Sequence, residues 1–178
     1  MRFARPSLST TALSSAALVS LLLAGCGSGD DTPEGWTMID DESSGIAVAM
    51  PENVDPQEQE APTSDGGTMT TRSYFVVREG VEMGFNVLDL DGGTYDLEAG
   101  LEGTAAAIEG EIASREPITV DGYDGVEAEV IFQDDFVAVF QLILLDDHVL
   151  QPMVSTEQDN RSTGDEYFSQ LVDSIDLG

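Results

Sequence analysis

The sequence predicts an α+β domain, a mainly antiparallel β-sheet flanked by helices. Three observations predict it. Runs of alternating apolar and polar residues recur between Asp- and Gly-rich turns. Two other stretches repeat apolar residues every three or four positions, the period of a helix lying on a core. The order along the chain is strands, helix, strands, helix.

Trp36 to Ile39 is a short apolar start. Ile46-Ala47-Val48-Ala49-Met50 alternates large and small residues, with Gly45 opening the strand and Pro51 ending it. Glu52 to Gly67 is acidic and holds prolines, so a long exposed loop is expected. Thr70 to Glu79 and Val81 to Leu90 read as a hairpin around Glu79-Gly80.

Leu97, Leu101, Ala105, Ile108 and Ile112 follow at steps of four, four, three and four, predicting a helix with Asp96 at its N-cap. Gly100 and Gly103 each cost up to about 1 kcal/mol inside a helix, so this one leans on packing. Ile118 to Val120 leads to turns at Asp121-Gly122 and Asp124-Gly125. Val126, Ala128, Val130 and Phe132 alternate with polar residues, and the sequence places Glu127 and Glu129 together on a solvated face. After a turn at Asp134-Asp135, Phe136 to Leu145 is apolar on both faces, as a central strand is. Asp146-Asp147-His148 turns again, and Val149 to Thr156 returns, with Pro152 suggesting an edge or a bulge. The last helix is marked by Thr163-Gly164-Asp165-Glu166, a capping box with Thr163 as N-cap, followed by Phe168, Leu171, Val172 and Ile175.

The N-terminal segment is of another kind. Arg2 and Arg5 precede an uncharged run from Thr11 to Ala24. About 14 residues are too few to span a bilayer, which takes about 20, and fit the apolar part of a secretory signal. Leu23-Ala24-Gly25-Cys26 ends it, and Cys26 is the one cysteine of the chain. A single thiol closes no internal disulfide. The tetrapeptide resembles the bacterial lipobox. The resemblance implies a diacylglycerol thioether on Cys26, cleavage before it, and usually an amide-linked third chain. Each buried CH2 contributes about 0.8 kcal/mol, so two or more chains make a lasting anchor. The plainer alternative is an ordinary signal peptide with a chance cysteine. The expected organisation is therefore a lipoprotein signal over 1–25, a lipidated cysteine and flexible linker over 26–35, and one α+β domain over 36–178.

All 35 acidic residues follow Cys26, against Arg72, Arg78, Arg115 and Arg161 and no lysine, so the expected mature chain carries a net charge near −31. Such a surface repels phosphate backbones and anionic headgroups, so nucleic acid is not an expected partner, and membrane contact is expected through the lipid on Cys26. The acids are scattered, which favours a solvated shell over a dedicated face for a basic partner.

The element order, with the opening Trp36, "GIAVAMP" (Gly45 to Pro51), "DGYDGVEAEV" (Asp121 to Val130) and "YFSQLVDSIDL" (Tyr167 to Leu177), resembles the PsbP-like α/β/α sandwich of actinobacterial lipoproteins of the LpqN type. These motifs are structural. The resemblance implies accessory or binding roles, in photosystem assembly, nuclear import or the mycobacterial-type envelope. It implies no catalytic set.

The residues themselves point to no catalytic or cofactor site. His148 is the one histidine, placed in a hairpin turn, and no Gly-x-Ser-x-Gly elbow is present. One histidine and a lipidated cysteine do not build a zinc site. "DLDGGTYDLEAG" (Asp89 to Gly100) fits positions one and three of a calcium loop with Asp89 and Asp91, but has Thr94 and Gly100 where Gly and Glu are needed. Weak calcium binding by scattered carboxylates stays open. The expectation is a non-enzymatic, lipid-anchored protein on the outer side of the cytoplasmic membrane that binds or supports other envelope components, an envelope protein among them, through its sheet or loop surface. The alternative is a carrier of a small apolar ligand, in a cleft left by Gly100, Gly103 and Ala105 to Ala107. A hydrolase comes third.

Overall fold

Nine strands and two α-helices alternate along the computed structural model, which describes residues 32–62 and 68–178. The expected signal segment, Cys26 and most of the linker lie outside the described residues. A two-stranded ladder pairs β1 (Thr37–Asp41) with β2 (Ile46–Met50). The other seven strands form one antiparallel sheet. They are β3 (Gln57–Pro62), β4 (Thr68–Arg78), β5 (Val81–Asp89), β6 (Glu111–Val120), β7 (Tyr123–Phe132), β8 (Phe136–Leu144) and β9 (His148–Glu157), in the order β3-β4-β5-β9-β8-β7-β6. Between β5 and β6 the chain forms α1 (Leu97–Ala107) and crosses to the far edge. It then meanders back until β9 closes the gap beside β5. After β9 a single 3-10 turn, Gln158–Asn160, runs into α2 (Arg161–Asp173).

The alternation of side chains assigns the two faces. One face carries Tyr74, Val76, Met83, Phe85, Leu150, Val154 and Ile143, covered by the β1–β2 ladder and by Phe168 and Leu171 of α2. The opposite face carries Val126, Ala128, Val130, Phe140, Leu142 and Val149, covered by Leu101 and Ala105 of α1. Two apolar layers therefore sandwich one sheet, the α+β arrangement expected. Tight turns fall at Glu79-Gly80 and Asp121-Gly122, where both residues have positive φ, as two-residue hairpins require.

Several elements differ from expectation. The segment read as a loop over Glu52 to Gly67 contains β3, an exposed edge strand, with 63–67 outside the described residues. An edge strand is held by backbone hydrogen bonds to one neighbour, so Gln-Glu-Gln-Glu needs no apolar alternation. Ile112 is not on the helix. Glu109 turns into the left-handed region (φ 55°), and Gly110 packs so tightly that a Cβ there would stand 2.4 Å from Val130 Cγ1. Ile112 then joins the same core from β6, which is why its spacing imitates the helical stripe. β6 is longer than the Ile118 to Val120 expected, and Asp124-Gly125 lies within β7. The turn between β7 and β8, expected at Asp134-Asp135, has its positive-φ residues at Gln133 and Asp134.

Pro152 sits on neither an edge nor a bulge. β9 is the central strand, and Pro152 faces Phe85 of β5 in unbroken pairing. On the β8 side the register is kept but pairing lapses over Gln141 and Leu142, because proline has no N–H to give. His148 is the first residue of β9, opposite Asp89, rather than part of a solvated turn. α2 begins at Arg161, two residues before the predicted cap. The 3-10 turn winds directly into it, so Thr163 and Glu166 lie within the helix and make no capping bond.

Candidate functional site

Two polar constellations stand out on an otherwise apolar framework. The first is buried. Arg72 of β4 is 6% exposed and Asp41, at the end of β1, is 0% exposed. Arg72 Nε donates to Asp41 Oδ2 at 2.6 Å, while Nη1 and Nη2 donate to the two oxygens of Asp89 at 2.6 and 2.8 Å. Tyr74 Oη donates to Asp41 Oδ2 at 2.9 Å, and the backbone N–H and hydroxyl of Ser44 donate to Oδ1. His148 Nε2 stands 3.3 Å from Asp89 Oδ1.

Burial by itself pushes the Asp41 carboxyl up, but the hydrogen bonds from Arg72, Tyr74 and Ser44 outweigh it and hold it below its ordinary value. The hydrogen bond to Asp89, against the cost of burial and with help from Asp41, keeps Arg72 charged. Burial, then the bond to Asp41, pushes the Tyr74 phenol up. A carboxylate held ionised, a guanidinium held charged and a phenol held neutral do not exchange protons near neutral pH. The arrangement fastens the β1–β2 ladder to β4 and β5. It also engages Asp89, the first residue of the considered calcium loop. Among the described residues no cluster of three or more His, Cys, Asp or Glu is arranged to hold a metal ion.

The second constellation is a groove of about 540 Å³ between α2 and the β6–β7 end of the sheet. Its floor is Val139, Phe168 and Val172, and its walls are Glu116, Glu127, Glu129 and Arg161. Arg161, in the first turn of α2, forms a two-pronged bond to Glu129 at 2.9 and 2.6 Å. That bond, against partial burial, holds the Glu129 carboxyl below its ordinary value. Glu127 accepts from Gln141 Nε2 at 2.8 Å. The sequence placed Glu127 and Glu129 on a solvated face. They do share a face, but it is the one beneath α2, and both are half-buried.

A second groove, of about 700 Å³, lies on the opposite face between the start of α1 and β6–β7, lined by Leu97, Pro117, Ile118 and Val126. An ion pair between Glu98 and Arg115 borders it. The groove described beside α1 lies at its start rather than along Gly100, Gly103 and Ala105 to Ala107, where a cleft is expected. The Tyr95 ring lies where a Gly100 Cβ would be, and Gly103, Ala106 and Ala107 face solvent.

The sequence reading missed the Arg72 network. Its signal was an arginine inside the alternating run Thr70 to Val77, in a chain with few basic residues. Cys26, the expected lipidation site, lies outside the described residues. No helix among the described residues is long and apolar enough to cross a membrane.

No family model matches the chain, and no curated protein matches it. Solved structures do. The cyanobacterial PsbP protein (CyanoP) from Synechocystis sp. PCC 6803 aligns with a TM-score of 0.56 at 14% identity, over 88% of this chain and 99% of that one. A protein of unknown function from Pseudomonas aeruginosa, PA94, aligns with a TM-score of 0.43 at 13% identity, over 76% of this chain and 92% of that one. The first alignment establishes the fold, and the chain has the PsbP-like α/β/α sandwich architecture.

Proposed function

We propose that this chain is a lipid-anchored, non-enzymatic accessory protein of the bacterial envelope, a PsbP-like lipoprotein of the LpqN type on the outer side of the cytoplasmic membrane. The observation that carries the reading is Leu23-Ala24-Gly25-Cys26 at the end of an uncharged run, followed by a single acidic domain. How the polar groups are used supports it. Asp41, Asp89, Arg72 and Tyr74 bind one another, and the one histidine leans on Asp89. The surface of the described residues offers open grooves on both sides of β6. Carriage of an apolar ligand is the weaker reading, because Tyr95 covers Gly100 and the groove near Leu97 is open to solvent.

Fractionation of cells making the wild-type chain or Cys26→Ser, followed by affinity capture of each form, tests this. The expected result is wild type in membranes, Cys26→Ser released, and the same envelope protein recovered with both. Equal membrane retention of the two forms contradicts the anchor, and recovery of no partner with either contradicts the accessory role.

A further inference from the structure

β6 is one of the two edge strands of the sheet, and the two grooves described above open on its two sides. On the α2 side, Glu116 stands directly opposite Glu127. Like charges facing each other across an antiparallel pair are destabilising. Arg161 neutralises neighbouring Glu129, yet Glu116 and Glu127 form no ion pair among the described residues. Behind Glu127, Gln141 is 8% exposed, gives its Nε2 to that carboxylate and leaves Oε1 with no hydrogen-bond partner. On the α1 side, the groove beside β6 offers apolar surface from Leu97, Pro117 and Val126, bordered by the Glu98–Arg115 ion pair. Successive residues of a strand laid along β6 would therefore face carboxylates and apolar surface in turn.

We infer that β6 is a docking strand for an extended basic segment of a partner protein, in which Lys or Arg alternates with apolar residues. The cations lie between Glu116 and Glu127, and the apolar side chains enter the groove at Leu97. This rests on the binding role proposed above and names its surface and the chemistry of its partner. Backbone pairing supplies affinity in this mode and the flanking grooves supply selectivity. Pro117 keeps unbroken register with Val126 although it has no N–H to give β7, so its nitrogen faces outward. The outward donors flanking it are those of Arg115 and Thr119, and the register shift between Ile112 and Ser114 ends the regular edge, which suits a short segment. A second copy of this chain is the wrong occupant, because it would bring another strongly acidic surface to the same carboxylates.

The test is a titration of the full chain in neutral detergent with a fluorescent peptide of about eight residues, Lys alternating with Val, against a Glu–Val control. The Lys–Val peptide binds and the Glu–Val peptide does not. Glu116→Gln with Glu127→Gln weakens binding about tenfold or more, whereas Glu58→Gln with Glu60→Gln, the same charge change on the opposite edge, alters it less than about twofold. Thr119→Pro, which removes an outward donor, weakens binding with the melting temperature unchanged. Absence of Lys–Val binding overturns the inference. So does equal weakening by the two double variants, which would mean general charge attraction, or a stable dimer through β6. A failed titration with a partner still captured from membranes removes the β6 site and leaves the accessory role standing. A tight titration with Cys26 unmodified keeps the β6 site and removes the lipid anchor.

Discussion

Arg72 and Asp41 lie 31 positions apart in the chain, and their side chains meet in the core through a 2.6 Å hydrogen bond from Nε to Oδ2. The bond joins the β1–β2 ladder to the large sheet. Asp41 has no solvent to turn to, and its other contacts come from Tyr74 and Ser44. Removing one member of such a pair leaves an uncompensated charge in the interior. Arg72→Met is therefore expected to cost about 3–5 kcal/mol, the range for breaking a buried ion pair. Arg72→Met combined with Asp41→Asn is expected to recover part of that loss. Urea unfolding of the two variants measures both, and a double variant as unstable as the single one contradicts the pairing.

The same pair sets the acid limb of stability. The Asp41 carboxyl is held below its ordinary value of 3.8, so the native state binds its proton less readily than the unfolded chain does. Its stabilising contribution is complete above 3.8 and is lost as the pH falls through the lower, native value. Glu129, lowered by Arg161, acts in the same direction. Acidification toward pH 5 also relieves repulsion among the many surface carboxylates, which raises stability before the fall. Unfolding free energy followed against pH is expected to rise slightly, then drop, with a shallower drop in Asp41→Asn. An acid limb of the same steepness in that variant contradicts the assignment.

Salt is expected to stabilise the domain. The acids are dispersed over its surface, and raising ionic strength from about 0.01 M to about 1 M shortens the screening length from about 30 Å to about 3 Å. Calorimetry is expected to show a melting temperature that climbs across that range. A falling melting temperature would mean that attractive pairs such as Arg161–Glu129 outweigh the repulsion.

Two glycines near α1 are expected to respond oppositely to alanine. Gly103 is within the helix with nothing inside 4 Å of an added Cβ, so Gly103→Ala is expected to stabilise by roughly 0.5–1 kcal/mol. Gly110→Ala would drive its Cβ into Val130 and is expected to cost about 1–3 kcal/mol. Chemical denaturation of the two variants gives the signs, and equal signs contradict the placement of α1 against β7.

Period and turn chemistry revealed the hairpin of β4 and β5, the alternation of β7 and the apolar β8, because each of these strands has a buried face. β3 escaped because an exposed edge strand has none. The extension of α1 to Ile112 failed because helix and following strand supply residues to one core, and side-chain spacing alone does not register the break at Glu109 and Gly110. Pro152 misled because its missing N–H costs a bond on only one side, leaving a central strand tolerable. The Arg72 network depends on β1 meeting β4 and on Asp89 meeting His148. The first comes from packing the β1–β2 ladder on the sheet and the second from strand order, and local patterns encode neither.

The measurement that bears most directly on the proposed role is the intact mass of the chain isolated from its own membranes. The expected product is a polypeptide beginning at Cys26 and heavier than its sequence by a diacylglyceryl group, with or without one further acyl chain. A mass showing an unmodified Cys26, or residues 1–25 still attached, would contradict it.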